Sequence, residues 1–205
     1  MKLIEITNIT QSTEQLNEID VKRAIAGGAF ALGTMLSPSP THHSPAPPHV
    51  ATQPSVEQRD QVDTAVLANA ILKKYRVSPR LAMKVAKLAR EYEKPSFPKA
   101  EDILAIIGIE SSFTPMSVSK LRTDPAVGLM QVRPGVWKLD RNELLNDIGL
   151  QIKTGADILH RYYKLLGNAD DAVHAYNVGI GNFRRGKHNP GYVSKYKNEL
   201  TLYKS

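Results

Sequence analysis

The sequence contains no cysteine in its 205 residues. The fold therefore has no disulfide framework, and no thiolate is available as a metal ligand or nucleophile. An apolar run over residues 24–36 is too short to span a bilayer comfortably. No segment after residue 60 alternates apolar and polar residues over the length of a β-strand. These absences predict an all-α fold.

The positive charge of the chain is unevenly distributed. The formal net charge is +7, yet residues 1–60 hold four Lys/Arg against six Asp/Glu, so the positive excess lies in residues 61–205. A basic domain favours a polyanionic partner, which can be nucleic acid, an anionic membrane surface or the bacterial wall. The chain has no helix-turn-helix, zinc or aromatic-basic motif, so we do not predict nucleic acid as a partner.

The histidines form no metal-binding pattern. His160, His174 and His188 lack metal-ligand spacing, and we predict that they are surface or structural residues. The other three histidines lie in a proline-rich segment, where solvated side chains are expected. We therefore predict neither a metal ion nor a cofactor.

The chain is predicted to have three parts. Residues 1–36 form an N-terminal segment containing the short apolar run at 24–36. That run has three interpretations: an export signal, an anchor that contacts the membrane, or an assembly element of a phage or envelope structure. Residues 37–60 are a linker, because six prolines between Ser37 and Pro54 favour an extended, solvated chain. Residues 61–205 form the helical domain.

Apolar periodicity and helix-ending residues predict the helices of this domain. Ser78 and Pro79 are typical of a helix start. Gly155 lies on the inward stripe of a long helix and predicts close approach by another helix. Gly179 and Gly181 are expected to break a shorter one. The predicted helices cover residues 61–75, 79–94, 146–166, 170–178 and 192–203, together with a helix that ends near Glu110.

Glu110 is the first candidate for chemistry. Ile103, Ile106 and Ile107 share a helical stripe with it, at spacings of three, four and seven residues. Burial and the negative end of a helix dipole both disfavour a charged carboxylate, so both raise its pKa. A raised pKa suits a general acid near neutral pH. The alternative is a glutamate at a frayed helix end, exposed to solvent or paired with an arginine.

Further motifs follow Glu110-Ser111 along the chain. They are Gly128-Leu129-Met130-Gln131, then Tyr176-Asn177, then Gly191-Tyr192. In this order they resemble the lysozyme-like soluble lytic transglycosylase family, which cleaves the glycan strands of bacterial peptidoglycan. The resemblance covers roughly residues 100–200 and implies a lysozyme-like helical domain with a glycan-binding cleft. The proline-rich linker and the apolar N-terminal segment would precede this domain.

The resemblance also implies roles for individual residues. Glu110 matches the single catalytic acid, and Tyr192 matches a tyrosine that hydrogen-bonds this acid. The chain departs from the family at Pro125, where a glycine is usual, and at Gln151, where an asparagine is usual. The implied substrate-binding or orienting residues are Ser111, Ser119, Gly128, Leu129, Met130, Gln131, Tyr176, Asn177 and Tyr192.

The motifs contain one obvious carboxyl, although glycoside cleavage commonly uses two. One acid suffices if the sugar's own 6-hydroxyl attacks, which gives a 1,6-anhydro-muramoyl end. The expected function is therefore a peptidoglycan lytic transglycosylase acting on glycan strands in the cell envelope, exported or periplasmic, or else carried by a phage virion. Two alternatives stay open: a hydrolytic muramidase that uses Asp124 as its second carboxylate, and a non-catalytic wall-binding module.

Overall fold

The computed structural model describes residues 56–204. The apolar run at 24–36 and the proline-rich stretch from Ser37 to Pro54 lie outside these residues. The all-α prediction is confirmed, because residues 56–204 contain helices and only isolated β-bridges. The helices are α1 (Val56–Lys74), α2 (Pro79–Tyr92), α3 (Ala100–Ser111), α4 (Pro134–Trp137), α5 (Arg141–Asn146), α6 (Ile148–Leu166), α7 (Ala169–Val178), α8 (Ile180–Arg184) and α9 (Pro190–Leu200).

Helix α3 forms the centre of the core. Ile103, Ile106 and Ile107 each have 0% of their surface exposed, as an apolar segment at the centre of a domain requires. Helices α2, α6 and α9 pack against α3. The helix ends where Ser112 takes a left-handed conformation, with φ of 50°. Its last turn, which carries Glu110, therefore lies at the edge of the core.

Side-chain caps fix several helix starts. Ser78 accepts a hydrogen bond from the Leu81 amide at 3.2 Å, which confirms the predicted start of α2. Asp147 caps α6 in the same way by accepting from the Leu150 amide at 3.1 Å. Within residues 56–204, no helix is both long and apolar enough to cross a membrane.

The helix prediction misses the short helices α4 and α5 and is also wrong in other details. Helix α1 begins at Val56 rather than near Gln61. Gly181 lies inside α8, so Gly179 alone ends α7, with φ of 82°. The atoms nearest to Gly155 belong to a loop rather than a helix: a Cβ atom there would lie 2.2 Å from Sδ of Met130. A small residue on a buried stripe shows that something approaches closely, but not which element it belongs to.

A buried carboxylate holds α1 against the domain. Glu199, in α9, is only 4% exposed and accepts a hydrogen bond from the Tyr75 hydroxyl at 2.5 Å. It also pairs with the Lys74 ammonium group. The Tyr75 ring packs on Phe113, with 4.7 Å between ring centroids. The end of α1 is thus anchored beside the segment that follows α3.

Candidate active site

A cleft of about 310 Å³ opens at the C-terminal end of α3. It lies between the loop that follows α3 and the α7–α8 region. Its lining combines one carboxylate with amide, hydroxyl, aromatic and aliphatic side chains, a combination suited to a polar ligand with flat apolar faces. The lining residues are Glu110, Ser119, Leu121, Ala126, Gln131, Val132, Arg133, Val136, Trp137, Ile158, Tyr162, Tyr176, Asn177, Val178 and Gly179.

Glu110 is the one carboxylate among the described residues that line this cleft. It is half-buried and occupies the last turn of α3. Tyr192, in the first turn of α9, donates its hydroxyl hydrogen to Glu110 Oε1 at 2.6 Å. The structure therefore contains the contact that the resemblance implies between these two residues.

Burial raises the pKa of Glu110 above its ordinary value of 4.5. The hydrogen bond from Tyr192 stabilises the carboxylate and offsets part of this rise. The pKa of the Tyr192 hydroxyl is itself raised well above its ordinary value of 10.0, by burial and by the nearby Glu110 charge. Tyr192 thus remains protonated and keeps its role as donor. Of these two side chains, Glu110 is the one that can still gain and lose a proton.

The segment 128–131 reaches the cleft through Gln131 alone. The side chains of Leu129 and Met130 have 0% exposure and belong to the core behind the cleft. Gly128 has a positive φ of 78°, and a Cβ atom there would lie 2.4 Å from Gln151 Cδ. Gln131 lines the cleft, and its amide group donates to the Gly128 carbonyl at 2.9 Å.

Gln151 holds this segment in place from α6. Its side chain is 1% exposed, and its Oε1 accepts from the Leu129 amide at 2.8 Å. Its Nε2 donates to the carbonyls of Pro115 and Leu145, at 3.1 and 3.0 Å. All these polar atoms are paired, as burial requires. The longer glutamine, where the family usually has asparagine, thus joins three segments of the chain.

Tyr176 and Asn177, at the end of α7, both line the cleft. The Tyr176 hydroxyl donates to the Met130 carbonyl at 2.8 Å, which leaves its ring at the cleft wall. Asn177 is exposed, and its Oδ1 accepts from Asn189 Nδ2 at 2.9 Å. Its own Nδ2 makes no hydrogen bond to another described residue.

The two serines are placed differently. Ser119 lines the cleft, and its oxygen accepts from the Ala126 amide at 2.8 Å, so its hydroxyl hydrogen is still available. Ser111 does not line the cleft. Its hydroxyl donates to the Ile107 carbonyl at 3.2 Å, one turn back in α3. Ser111 therefore serves the end of α3 rather than the cleft surface.

Asp124 also lies outside the cleft lining. Its carboxylate accepts from the Gly135 amide at 2.7 Å and the Val136 amide at 3.2 Å, at the start of α4. Arg133 pairs with it at 3.3 Å. The Asp124 carboxylate is therefore engaged in fixing the loop and α4.

Several cleft residues had no motif to indicate them. Trp137, the only tryptophan in the chain, lines the cleft from α4 beside Val136. Tyr162 and Ile158, from α6, complete that wall. The rarity of tryptophan was the one available signal. The described residues contain no cluster of three or more His, Asp or Glu side chains able to hold a metal ion.

Comparison with known protein families matches residues 87–198 to the family described as Transglycosylase SLT domain. The match covers more than half of the chain and includes Glu110, Gln131, Tyr176 and Tyr192. Neither the curated proteins nor the solved structures give a match. With the helical fold and the cleft, the family match identifies the chain as a member of the transglycosylase SLT domain family, the lysozyme-like lytic transglycosylases of peptidoglycan.

Proposed function

We propose that the protein cleaves the β-1,4 bond between N-acetylmuramic acid and N-acetylglucosamine and leaves a 1,6-anhydro-muramoyl end. The observation that carries this proposal is the single carboxylate, Glu110, among the described cleft-lining residues. Enzymes that use water or a covalent intermediate commonly place two carboxyls across the reacting bond. With one carboxyl in the cleft, the substrate is the best source of the nucleophile.

In the first step Glu110 acts as a general acid. It gives its proton to the glycosidic oxygen while the bond from that oxygen to C1 of the muramoyl sugar breaks. The carbonyl oxygen of the sugar's own acetamido group bonds to C1 and stabilises the developing positive charge. The raised pKa of Glu110 supports this role, because it increases the fraction of the enzyme that carries the proton near neutral pH.

In the second step Glu110 acts as a general base. The 6-hydroxyl oxygen of the same sugar attacks C1 and displaces the acetamido oxygen, while its proton passes to the Glu110 carboxylate. The enzyme thereby returns to its starting protonation state, and no water is consumed.

The hydrogen bond from Tyr192 supports this use of one carboxyl for both steps. The hydroxyl contacts Oε1 at 2.6 Å, and no group among the described residues hydrogen-bonds Oε2. Oε2 is therefore the oxygen that carries and receives the proton. Gln131, Asn177 and Ser119 provide groups for acetamido and hydroxyl contacts, and the Tyr176 ring provides a flat surface for a sugar.

Two substitutions test the proposal against its alternatives. Glu110→Gln keeps the size of the side chain but removes the acid, and we expect glycan cleavage to fall by at least about 100-fold. Asp124→Asn should lower stability but leave the chemical identity of the product unchanged, because Asp124 binds the start of α4. Undiminished cleavage by Glu110→Gln would show that Glu110 is not the acid. Wall binding without any cleavage by the parent would favour a wall-binding module. A loss of activity in Asp124→Asn with its fold intact would favour the hydrolytic muramidase.

The substrate places the activity in the cell envelope, and we propose that the chain acts there. Residues 24–36 would bring it there as an export signal, through membrane contact, or as an assembly element of a phage or envelope structure. N-terminal sequencing of the mature protein separates the first route from the other two, because only a cleaved export signal removes residues 24–36.

A further inference from the structure

A second groove lies next to the cleft and is rich in positive charge. We call it the cationic groove and define it by Trp137, Lys138, Arg161, Leu165, Ile180 and Arg184. Three of these six residues are cations, and no acidic residue lines the groove. Leu165 and Ile180 give it an apolar surface between the charged groups.

The three cations have no acidic partner in the described part of the chain. Lys138, Arg161 and Arg184 are exposed, and among residues 56–204 no carboxylate lies within salt-bridge distance of them. Arg90, by contrast, is near three carboxylates. A concentration of unpaired positive charge attracts anions, and the attraction is stronger beside apolar surface than in open solvent.

Trp137 fixes one of these cations in position. The Arg161 guanidinium lies 5.7 Å from the centroid of the Trp137 ring, a distance suited to a cation–π interaction. Tyr162 packs on the same tryptophan, with 6.3 Å between ring centroids. A guanidinium held over an aromatic ring keeps its N–H groups available for a carboxylate.

The cationic groove is continuous with the cleft. Three residues line both of them: Val136, Trp137 and Tyr162. They form a shared wall with the cleft on one side and the cationic groove on the other. A substituent on a sugar bound in the cleft can therefore extend past Trp137 into the groove. In peptidoglycan, that substituent is the peptide stem joined to the lactyl group of N-acetylmuramic acid.

We propose that the cationic groove binds the carboxylates of this peptide stem. The inference rests on the proposed function, since it assumes that a glycan strand occupies the cleft. A stem combines free carboxylates with small apolar side chains, and the groove combines Lys138, Arg161 and Arg184 with Leu165 and Ile180. The positive charge of the groove, its apolar surface and its position beside the cleft thus all fit the peptide stem as the ligand.

The test measures binding in the full chain carrying Glu110→Gln, so that fragments are not cleaved. The probes are peptidoglycan tetrasaccharides with free stem carboxylates, with the same carboxylates amidated, and without stems. Fluorescence of Trp137 reports binding directly, because the chain has no other tryptophan. We expect amidation to weaken binding about fivefold, as the loss of two or three exposed ion pairs predicts.

The groove variant carries three substitutions together: Lys138→Gln, Arg161→Gln and Arg184→Gln. It should bind the free and amidated fragments equally, and it should bind the stem-free fragment as the parent does. The control variant is Arg76→Gln, Arg80→Gln and Lys84→Gln, which removes the same charge from exposed positions outside both cleft and groove. The control should keep the fivefold difference.

Two results would overturn the inference. One is equal binding of free and amidated stems by the parent, and the other is a groove variant that keeps the difference. A different outcome would count against the proposed function instead. In that outcome even the stem-free fragment does not bind, and the parent enzyme, which carries Glu110, does not cleave glycan.

Discussion

Tyr192 donates a hydrogen bond of 2.6 Å to Glu110, a residue 82 positions earlier in the chain. The contact joins the first turn of α9 to the last turn of α3. A second bond joins the same helices further along, where the Tyr196 hydroxyl meets Asp102 at 2.5 Å. Helix α9 therefore holds both ends of α3 and fixes the direction of the Glu110 carboxyl.

Removal of the Tyr192 hydroxyl should change both the rate and its pH dependence. In Tyr192→Phe, we expect the maximal cleavage rate to fall roughly 10- to 100-fold, the effect of losing a hydrogen bond to a charged group. That bond lowers the pKa of Glu110, so its loss should raise this pKa further. Because the proposed first step needs protonated Glu110, the alkaline limb of the pH–rate profile should move to higher pH.

Tyr163→Phe is the matched control, since this half-buried tyrosine does not line the cleft. Rates measured across pH with a defined glycan substrate provide the comparison. An alkaline limb that stays in place in Tyr192→Phe would show that the hydroxyl does not act on Glu110.

The buried position of Glu110 should also make stability depend on pH. Its pKa is raised in the folded protein, so the folded state holds this proton more tightly than the unfolded state does. The resulting stabilisation is fully present below pH 4.5 and is lost as pH rises through the folded pKa. Glu110→Gln, which stays neutral, should therefore be more stable than the parent at neutral pH.

Thermal melting of both proteins tests this expectation. The difference in melting temperature between the two proteins should decrease when the pH is lowered below 4.5. The exposed carboxylate of Glu143 supplies the control, because Glu143→Gln measures the general effect of removing one negative charge. A Glu110→Gln variant that is less stable than the parent at neutral pH would contradict the burial argument.

Gly155 should tolerate no side chain while Met130 is in place. A Cβ atom at Gly155 would lie 2.2 Å from Met130 Sδ and 2.8 Å from its Cβ. Gly155→Ala should therefore destabilise the domain by about 1–3 kcal/mol and displace the segment before Gln131. Gly181→Ala is the control, since its nearest neighbour is 3.6 Å away.

A double-mutant cycle with Met130→Ala identifies the cause. The smaller side chain makes room for the new methyl group, so the double variant should lose less stability than the sum of the single changes. Denaturant unfolding gives the free energies of all four proteins. Strictly additive losses would show that Met130 is not the obstacle.

Glu199 should carry much of the attachment of α1. Its carboxylate is 4% exposed and contacts both Lys74 and Tyr75. Glu199→Ala leaves the tyrosine hydroxyl without its acceptor, and we expect a loss of about 2 kcal/mol, since Lys74 can return to solvent. Tyr75→Phe should cost about 1 kcal/mol. Urea unfolding measures both, and unchanged stability in Glu199→Ala would contradict this assignment.

Local sequence signals predicted the central helix α3, but the contacts between segments distant in sequence could be identified only from the structure. The apolar run and the residues after Glu110 sufficed to place α3, because burial and helix ending act over a few residues. The bond from Tyr192 followed only from a family resemblance. Trp137 was missed because α4 is a single turn, held by Asp124 from the preceding loop. Nothing near Glu199 in sequence indicated that its partners are Lys74 and Tyr75, at the end of α1.

The central claim is that Glu110 acts without a second carboxylate and without water. Mass spectrometry of the glycan ends in digested peptidoglycan tests it most directly, because anhydro and reducing ends differ by one water. We expect 1,6-anhydro-muramoyl ends for the parent enzyme and for Asp124→Asn, and almost no new ends for Glu110→Gln. Products that carry only reducing ends would contradict it.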